Sequence, residues 1–261
     1  MSQDNGNIIK TMYMKLKDKV ALITGSSKGI GAGIAKEYAK EGARVVVNYS
    51  SSKESADKVV EEITKNGGTA IAVQADISKV ADIKKLFEEI KKVYGRLDIL
   101  VNNASVWRYE KLADISEETF QLQITTGLMA HIFCAQHAVA MFGENGGSII
   151  NLSSTISLNP IPGTLIYCAV KAGVDSLAKT LAKELGSKNI RVNTIAPGMT
   201  ESEGSTADGR PGSAMEKYFL EQTPLGRIGQ PVDIAKVAVF LASEDAGWVT
   251  GERITVAGGL L

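Results

Sequence analysis

Val20-Ala-Leu-Ile-Thr24 runs straight into Gly25-Ser-Ser-Lys-Gly29-Ile-Gly31, and that turn leads into a segment with apolar positions at Ala32, Ile34, Ala35 and Tyr38. The first five residues are an apolar run of strand length, and the last segment has the spacing of a helix face. Strand, glycine turn and helix in that order form a cradle for a dinucleotide. Glycines let the chain turn tightly and let a pyrophosphate approach the backbone, while the amides at the helix start attract the anion. The spacing is Gly-x-x-x-Gly-x-Gly, not the Gly-x-Gly-x-x-Gly of the usual fingerprint.

Outward from this turn, the chain alternates strand and helix without a proline- or serine-rich linker. Apolar runs at Val20–Thr24, Arg44–Asn48, Thr69–Gln74, Ile99–Val101, Ser148–Leu152, Arg191–Ile195 and Arg253–Val256 predict a buried parallel sheet with amphipathic helices between its strands. The fold expected is α/β: one Rossmann-type, doubly wound parallel sheet of about seven strands flanked by helices. Residues 1–14 read as a flexible arm and 15–261 as one domain. The Gly-, Ser- and Pro-containing stretch 198–213 reads as a loop over a ligand site, because a parallel α/β sheet binds ligands beyond the carboxyl ends of its strands.

Composition narrows the class. The chain has 261 residues, enough for a substantial core, with 29 basic and 29 acidic residues. Interspersed charges of equal number give no footprint for nucleic acid, and Glu61-Glu62, Glu88-Glu89 and Glu117-Glu118 read as solvated helix faces. The reading expects no bilayer-spanning run and no secretory signal in Met1–Tyr13, hence a cytoplasmic protein. Cys134 and Cys168 form no Cys-x-x-Cys pair and read as reduced side chains. His131 and His137 are six residues apart, not a helical ligand spacing, and no metal is expected.

A second constellation carries chemistry. Tyr167 and Lys171 stand four apart in Tyr-Cys-Ala-Val-Lys, with Ser154 thirteen residues upstream of the tyrosine. On a helix, positions i and i+4 share a face, so phenol and ammonium converge. A cation beside a phenol favours phenolate and draws its pKa toward neutrality, as general acid–base work requires. The Ser154 hydroxyl can then hold a carbonyl oxygen.

The glycine turn, Asn102-Asn103-Ala104 after a strand, Ser154, Tyr167, Lys171 and Pro197-Gly198 occur in an order and spacing that resembles the short-chain dehydrogenase/reductase family over nearly the whole chain, its glucose-dehydrogenase-like and 3-oxoacyl-reductase-like branches in particular. The resemblance implies reversible hydride transfer between a nicotinamide and a carbonyl or secondary alcohol. Ser154 and Tyr167 would bind the oxygen, and Lys171 would hold the nicotinamide ribose. Cofactor contacts are implied for Gly25, Ser27, Lys28, Gly29, Ile30 and Gly31, for Asp76 and Ile77 beside adenine, for Asn102 and Ala104 along the adenosine ribose, and for Pro197, Gly198 and Ser202 near the nicotinamide. At the end of the second strand, Asn48-Tyr49-Ser50-Ser51 lacks the acidic residue that would bind the NAD ribose. With Lys28 in the turn, with the hydroxyls of Ser50 to Ser52 able to donate to a phosphate, and with Asn48 also among the expected cofactor contacts, NADP(H) is favoured and NAD(H) remains possible. Trp107, Asn159 and Met199, with Ser154, are expected to border the substrate, a small carbonyl or alcohol compound. The family also implies a homotetramer.

Two departures stand out. Ser105 follows Ala104 where the family has glycine, and Gly127 occupies the position of the family's relay asparagine. Glycine costs about 1 kcal/mol in a helix interior relative to alanine, so it calls for a reason. The readings are a retuned or engineered pocket with extra room, a chain that binds cofactor but turns over poorly, or a relay kept by backbone and water; His131, one turn beyond, either lends an imidazole to the relay or, as the simpler reading, is a packed or interface histidine. A non-enzymatic dinucleotide binder and a sugar-nucleotide epimerase rank below the reductase, the first because Ser154, Tyr167 and Lys171 are all present.

Overall fold

The computed structural model describes residues 14–201 and 212–260. Seven strands form one parallel sheet: β1 Val20–Ile23, β2 Arg44–Tyr49, β3 Thr69–Gln74, β4 Ile99–Asn102, β5 Gly147–Leu152, β6 Ile190–Pro197 and β7 Arg253–Val256, in the spatial order β3-β2-β1-β4-β5-β6-β7. The order reverses between β1 and β4, which places a ligand crevice at their carboxyl ends. Each strand sits within two residues of its apolar run at either end; the inner strands are buried on both faces, and the edge strands β3 and β7 only in part.

Helices cover both faces. α1 Gly29–Lys40, α2 Lys53–Lys65 and α7 Pro231–Ala242 pack on one side through Ile34, Tyr38, Val59, Ile63, Ile234 and Ala238. α3 Val80–Tyr94, α4 Glu117–Met141 and α5 Leu165–Leu185 pack on the other through Ile83, Leu86, Ala130, Cys134, Ala178 and Leu185. A short α6, Ala214–Gln222, lies near the site. α4 departs from the expectation of no bilayer-length apolar run: by length and composition alone its 25 residues suffice. Its apolar character has two sources, an inner face against the sheet and an outer face carrying Phe120 and Ile132, 43 % and 46 % exposed.

Of the stretch 198–213, residues 202–211 lie outside the described residues, as does the expected arm up to Tyr13.

Candidate active site

The glycine turn sits at the switch point. Gly25 and Gly29 have φ of +61° and +58°, in the left-handed region that glycine tolerates best. A β-carbon on Gly25 would stand 2.7 Å from Ala104 Cβ, and one on Gly31 2.6 Å from Asn103 Nδ2. The turn therefore closes against the end of β4 only because these positions lack side chains. Thr24 Oγ1 accepts from the amides of Asn103 and Ala104 at 3.0 and 3.1 Å, and Asn103 Nδ2 donates to Thr24 O and Gly25 O. α1 begins at Gly29, so its N-terminal amides face the crevice, the geometry that suits a pyrophosphate. These observations fit a dinucleotide.

The other cofactor positions divide into presented and inward groups. Lys28 is exposed, as are Ser50 and Ser51, whereas Ser27 is buried and Ile30 lines the large cavity at the strand ends. Asn48 does not present its carboxamide. It is 2 % exposed; its Oδ1 accepts from Gly25 N–H and its Nδ2 donates to Val73 O and Ala75 O, so it braces the turn from beneath. Asn102 is likewise engaged inside, donating to Asn151 Oδ1 at 3.0 Å and His131 O at 3.3 Å, and Ile77 belongs to the core. These three shape the crevice through backbone and packing. Asp76 is half-buried; burial opposes its ionisation, but hydrogen bonds from Ser78 and the nearby Lys79 ammonium outweigh this and hold the carboxyl below its ordinary value. Ser26, not singled out from sequence, pins the turn by donating to Ile23 O and accepting from Asn48 N–H. Ser202 lies outside the described residues.

Ser154, Tyr167, Trp107, Asn159, Met199, Pro197 and Gly198 all line one cavity of about 630 Å³. Tyr167 and Lys171 project from one face of α5, with Lys171 Nζ 5.4 Å from the centre of the Tyr167 ring. Lys171 is 2 % exposed and donates to Leu152 O at 2.7 Å. Burial pulls its pKa down to about 8, with the Asp175 carboxylate pulling the other way. Ser154 ends the loop after β5, its Oγ accepting from Ile156 N–H at 3.3 Å.

Behind Ser154 is a network that sequence reading missed. Arg253 on β7 pairs with Asp175 of α5 at 3.0 Å, and its Nη2 donates to Ser154 O and to Ser157 Oγ. Ser157 Oγ also donates toward Asp175 Oδ2, at 2.6 Å. The network anchors the Ser154 turn to α5 and β7 at once. Its members are up to 99 residues apart, and no local pattern announces it.

Gly127 is buried at the centre of a π turn, Thr125–Met129, within α4. The expectation of extra room there is corrected: a β-carbon would meet Val170 Cγ1 at 2.6 Å and Ser105 Oγ at 3.2 Å, so neighbours already fill the space. Among the described residues no cluster of three or more metal-ligating side chains occurs.

Residues 25–261 match the family described as enoyl-(acyl carrier protein) reductase. The chain is 48 % identical over 246 residues to an uncharacterized oxidoreductase of Methylorubrum extorquens, covering 94 % of this chain and 99 % of that one. It is 40 % identical over 255 residues to a hydroxynaphthalene reductase-like protein, Arp2, of Metarhizium robertsii, covering 94 % and 95 %. Among solved structures, the landomycin C-6 ketoreductase LanV with bound NADP and rabelomycin superposes with a TM-score of 0.85 at 34 % identity, covering 95 % and 98 %. A Rossmann-type sheet with this site belongs to a class of nicotinamide-dependent oxidoreductases. Within that class, the chain belongs to the short-chain dehydrogenase/reductase family.

Proposed function

We propose that this protein is an NADP(H)-preferring ketoreductase that acts through Ser154, Tyr167 and Lys171 on bulky, neutral ketones. The observation that carries the reading is the placement of Tyr167 at the cavity wall with the buried Lys171 ammonium 5.4 Å from its ring centre. The dinucleotide, when bound, supplies or accepts the hydride. Ser154 Oγ and the Tyr167 hydroxyl face the substrate oxygen, and Tyr167 donates its proton there in reduction or removes it in oxidation. Lys171 holds positive charge behind the phenol, favouring the phenolate that remains after proton transfer.

Exposed Lys28 supports NADP over NAD, as does the lack of an acidic side chain at the end of β2. The cavity supports the substrate class: Trp107, Leu158, Met199, Tyr218, Phe219 and Leu260 give it apolar and aromatic walls. NADP and rabelomycin in LanV, and the hydroxynaphthalene reductase-like relative, support the same reading. Assembly as a homotetramer is part of the proposal, supported by Phe120, Leu122 and Ile132 on α4 and Leu165 on α5, which are 37–56 % exposed. The test is NADPH absorbance with a panel of tetralones, naphthols and quinones set against small ketoacids and sugars. Consumption with the aromatic ketones is expected, and consumption only with ketoacids or sugars would overturn the substrate class.

A further inference from the structure

The interior near Lys171 holds polar atoms that the chemistry above leaves unused. α4 changes pitch at Thr125–Met129 in a π turn with Gly127 at its centre. Such turns shift the backbone ladder by one residue and are frequent at functional sites. Ser105 Oγ stands 3.2 Å from where a β-carbon of Gly127 would be, so its hydroxyl already occupies the approach that a side chain at 127 would use. One turn further on, His131 is 1 % exposed; burial first, and then the Lys171 charge, hold its imidazole neutral by pushing its pKa down to about 3. Ser105 Oγ is buried without a hydrogen-bond partner among the described residues, and neither His131 ring nitrogen makes a hydrogen bond of good geometry there, although the Asn102 backbone lies close enough to the ring to oppose part of the fall in its pKa. Buried polar atoms are rarely left unsatisfied, and where protein does not satisfy them ordered water does. A neutral imidazole carries one donor and one acceptor nitrogen. It can take a proton on one side as it releases one on the other.

We propose that Ser105 and His131, flanking Gly127, are positioning residues that hold the water through which Lys171 and Tyr167 recover protons from solvent. The proposal rests on the ketoreductase reading. Each carbonyl reduced removes one proton from the Tyr167 hydroxyl, and one proton from solvent replaces it along this path; no electrons move through it. With Ser105 supplying the polar atom, a polar side chain at position 127 is unnecessary.

The decisive variant is Ser105→Ala. If the hydroxyl only fills space, removing a buried, unsatisfied group of this size is neutral or stabilising, and nothing else changes. The proposal expects an unchanged melting temperature and NADPH affinity, but turnover of 1-tetralone at least about tenfold lower, a fraction of the roughly 10²–10⁴-fold that general acid–base catalysis contributes. The solvent isotope effect on kcat should rise, and Ser105→Thr should restore both. His131→Gln, which keeps a donor and an acceptor, should retain more turnover than His131→Leu. Parental turnover and isotope effect in Ser105→Ala would overturn the proposal. Independently of turnover, protein labelled with ¹⁵N-histidine, which has only His131 and His137 to resolve, should show a cross-relaxation signal between the His131 ring and a long-lived water that is lost in Ser105→Ala. Absence of that signal in the parental protein would also overturn the proposal. The signal in a parental protein that reduces no ketone would overturn the ketoreductase reading and leave the water site standing.

Discussion

Replacing Arg253 by Met tests the most consequential contact that the sequence did not reveal. Arg253 and Asp175 are 13 % and 11 % exposed, and the guanidinium also donates to Ser154 O at 3.0 Å. Removing the cation leaves Asp175 with Ser157 as its hydrogen-bond donor and with Oδ1 already unsatisfied. An uncompensated buried charge of this kind costs about 3–5 kcal/mol, far more than the ~0–1 kcal/mol of an exposed pair. The Ser154 turn loses its anchor as well, and a displacement on the order of 1 Å at a reacting group can cost about 10²-fold in rate. Urea unfolding, followed by fluorescence at fixed protein concentration, measures the first effect and ketone-dependent NADPH oxidation the second. The double variant Arg253→Met/Asp175→Leu separates them. Two apolar side chains in place of the pair should restore stability to within about 1 kcal/mol of the parent. Turnover should stay low, because Ser154 O then keeps only the Ser157 N–H and hydroxyl of its own turn and loses its tie to β7. A single variant within about 1 kcal/mol of the parent would refute the claim that the pair is buried in the energetic sense. A double variant that recovers both stability and turnover would refute the positioning role.

Three further outcomes are expected. Burial holds Lys171 near 8 against an ordinary 10.5, so across that interval the unfolded chain binds a proton that the folded chain does not, and this residue's contribution to stability rises with pH. The difference in unfolding free energy between the parent and Lys171→Met should therefore change by up to about 1.4 kcal/mol per pH unit above pH 8; a pH-independent difference would mean that Lys171 titrates normally. Gly127→Asn should lower the melting temperature, because its β-carbon meets Val170 Cγ1 at 2.6 Å and overpacking costs about 1–3 kcal/mol. Val170→Ala in the same chain should recover the loss, and a stabilised Gly127→Asn would show the space to be open. Lys28→Glu should raise the KM for NADPH by roughly tenfold or more, about 1.4 kcal/mol, with the KM for NADH little changed; equal effects on both cofactors would remove Lys28 from phosphate recognition.

The fold was legible because the buried strands of a parallel sheet are written as continuous apolar runs, and even the partly buried edge strands Thr69–Gln74 and Arg253–Val256 have the bounds their runs predict. The ends that moved have physical reasons. β6 runs on through Ala196 and Pro197 because Gly198 N–H bonds Val256 O and holds the chain beside β7. The glycine turn was legible because Gly25 needs a positive φ and Gly31 a close approach that a side chain forbids. Side-chain direction was not. Asn48 and Asn102 stand at strand ends that face the crevice, yet their amides turn inward to Gly25, Ala75 and Asn151. Gly127 was legible as an anomaly but not as a filled space, because Val170 and Ser105 reach it from another helix and another loop.

The most direct test of the central claim is Tyr167→Phe, which removes one hydroxyl from the cavity wall and leaves the ring over Lys171. NADPH binding should be retained, measured by quenching or enhancement of its fluorescence, and ketone-dependent NADPH oxidation should fall by about 10²–10⁴-fold, the usual worth of a general acid. Near-parental turnover in this variant would contradict the account, because the proton would then come from a group other than Tyr167.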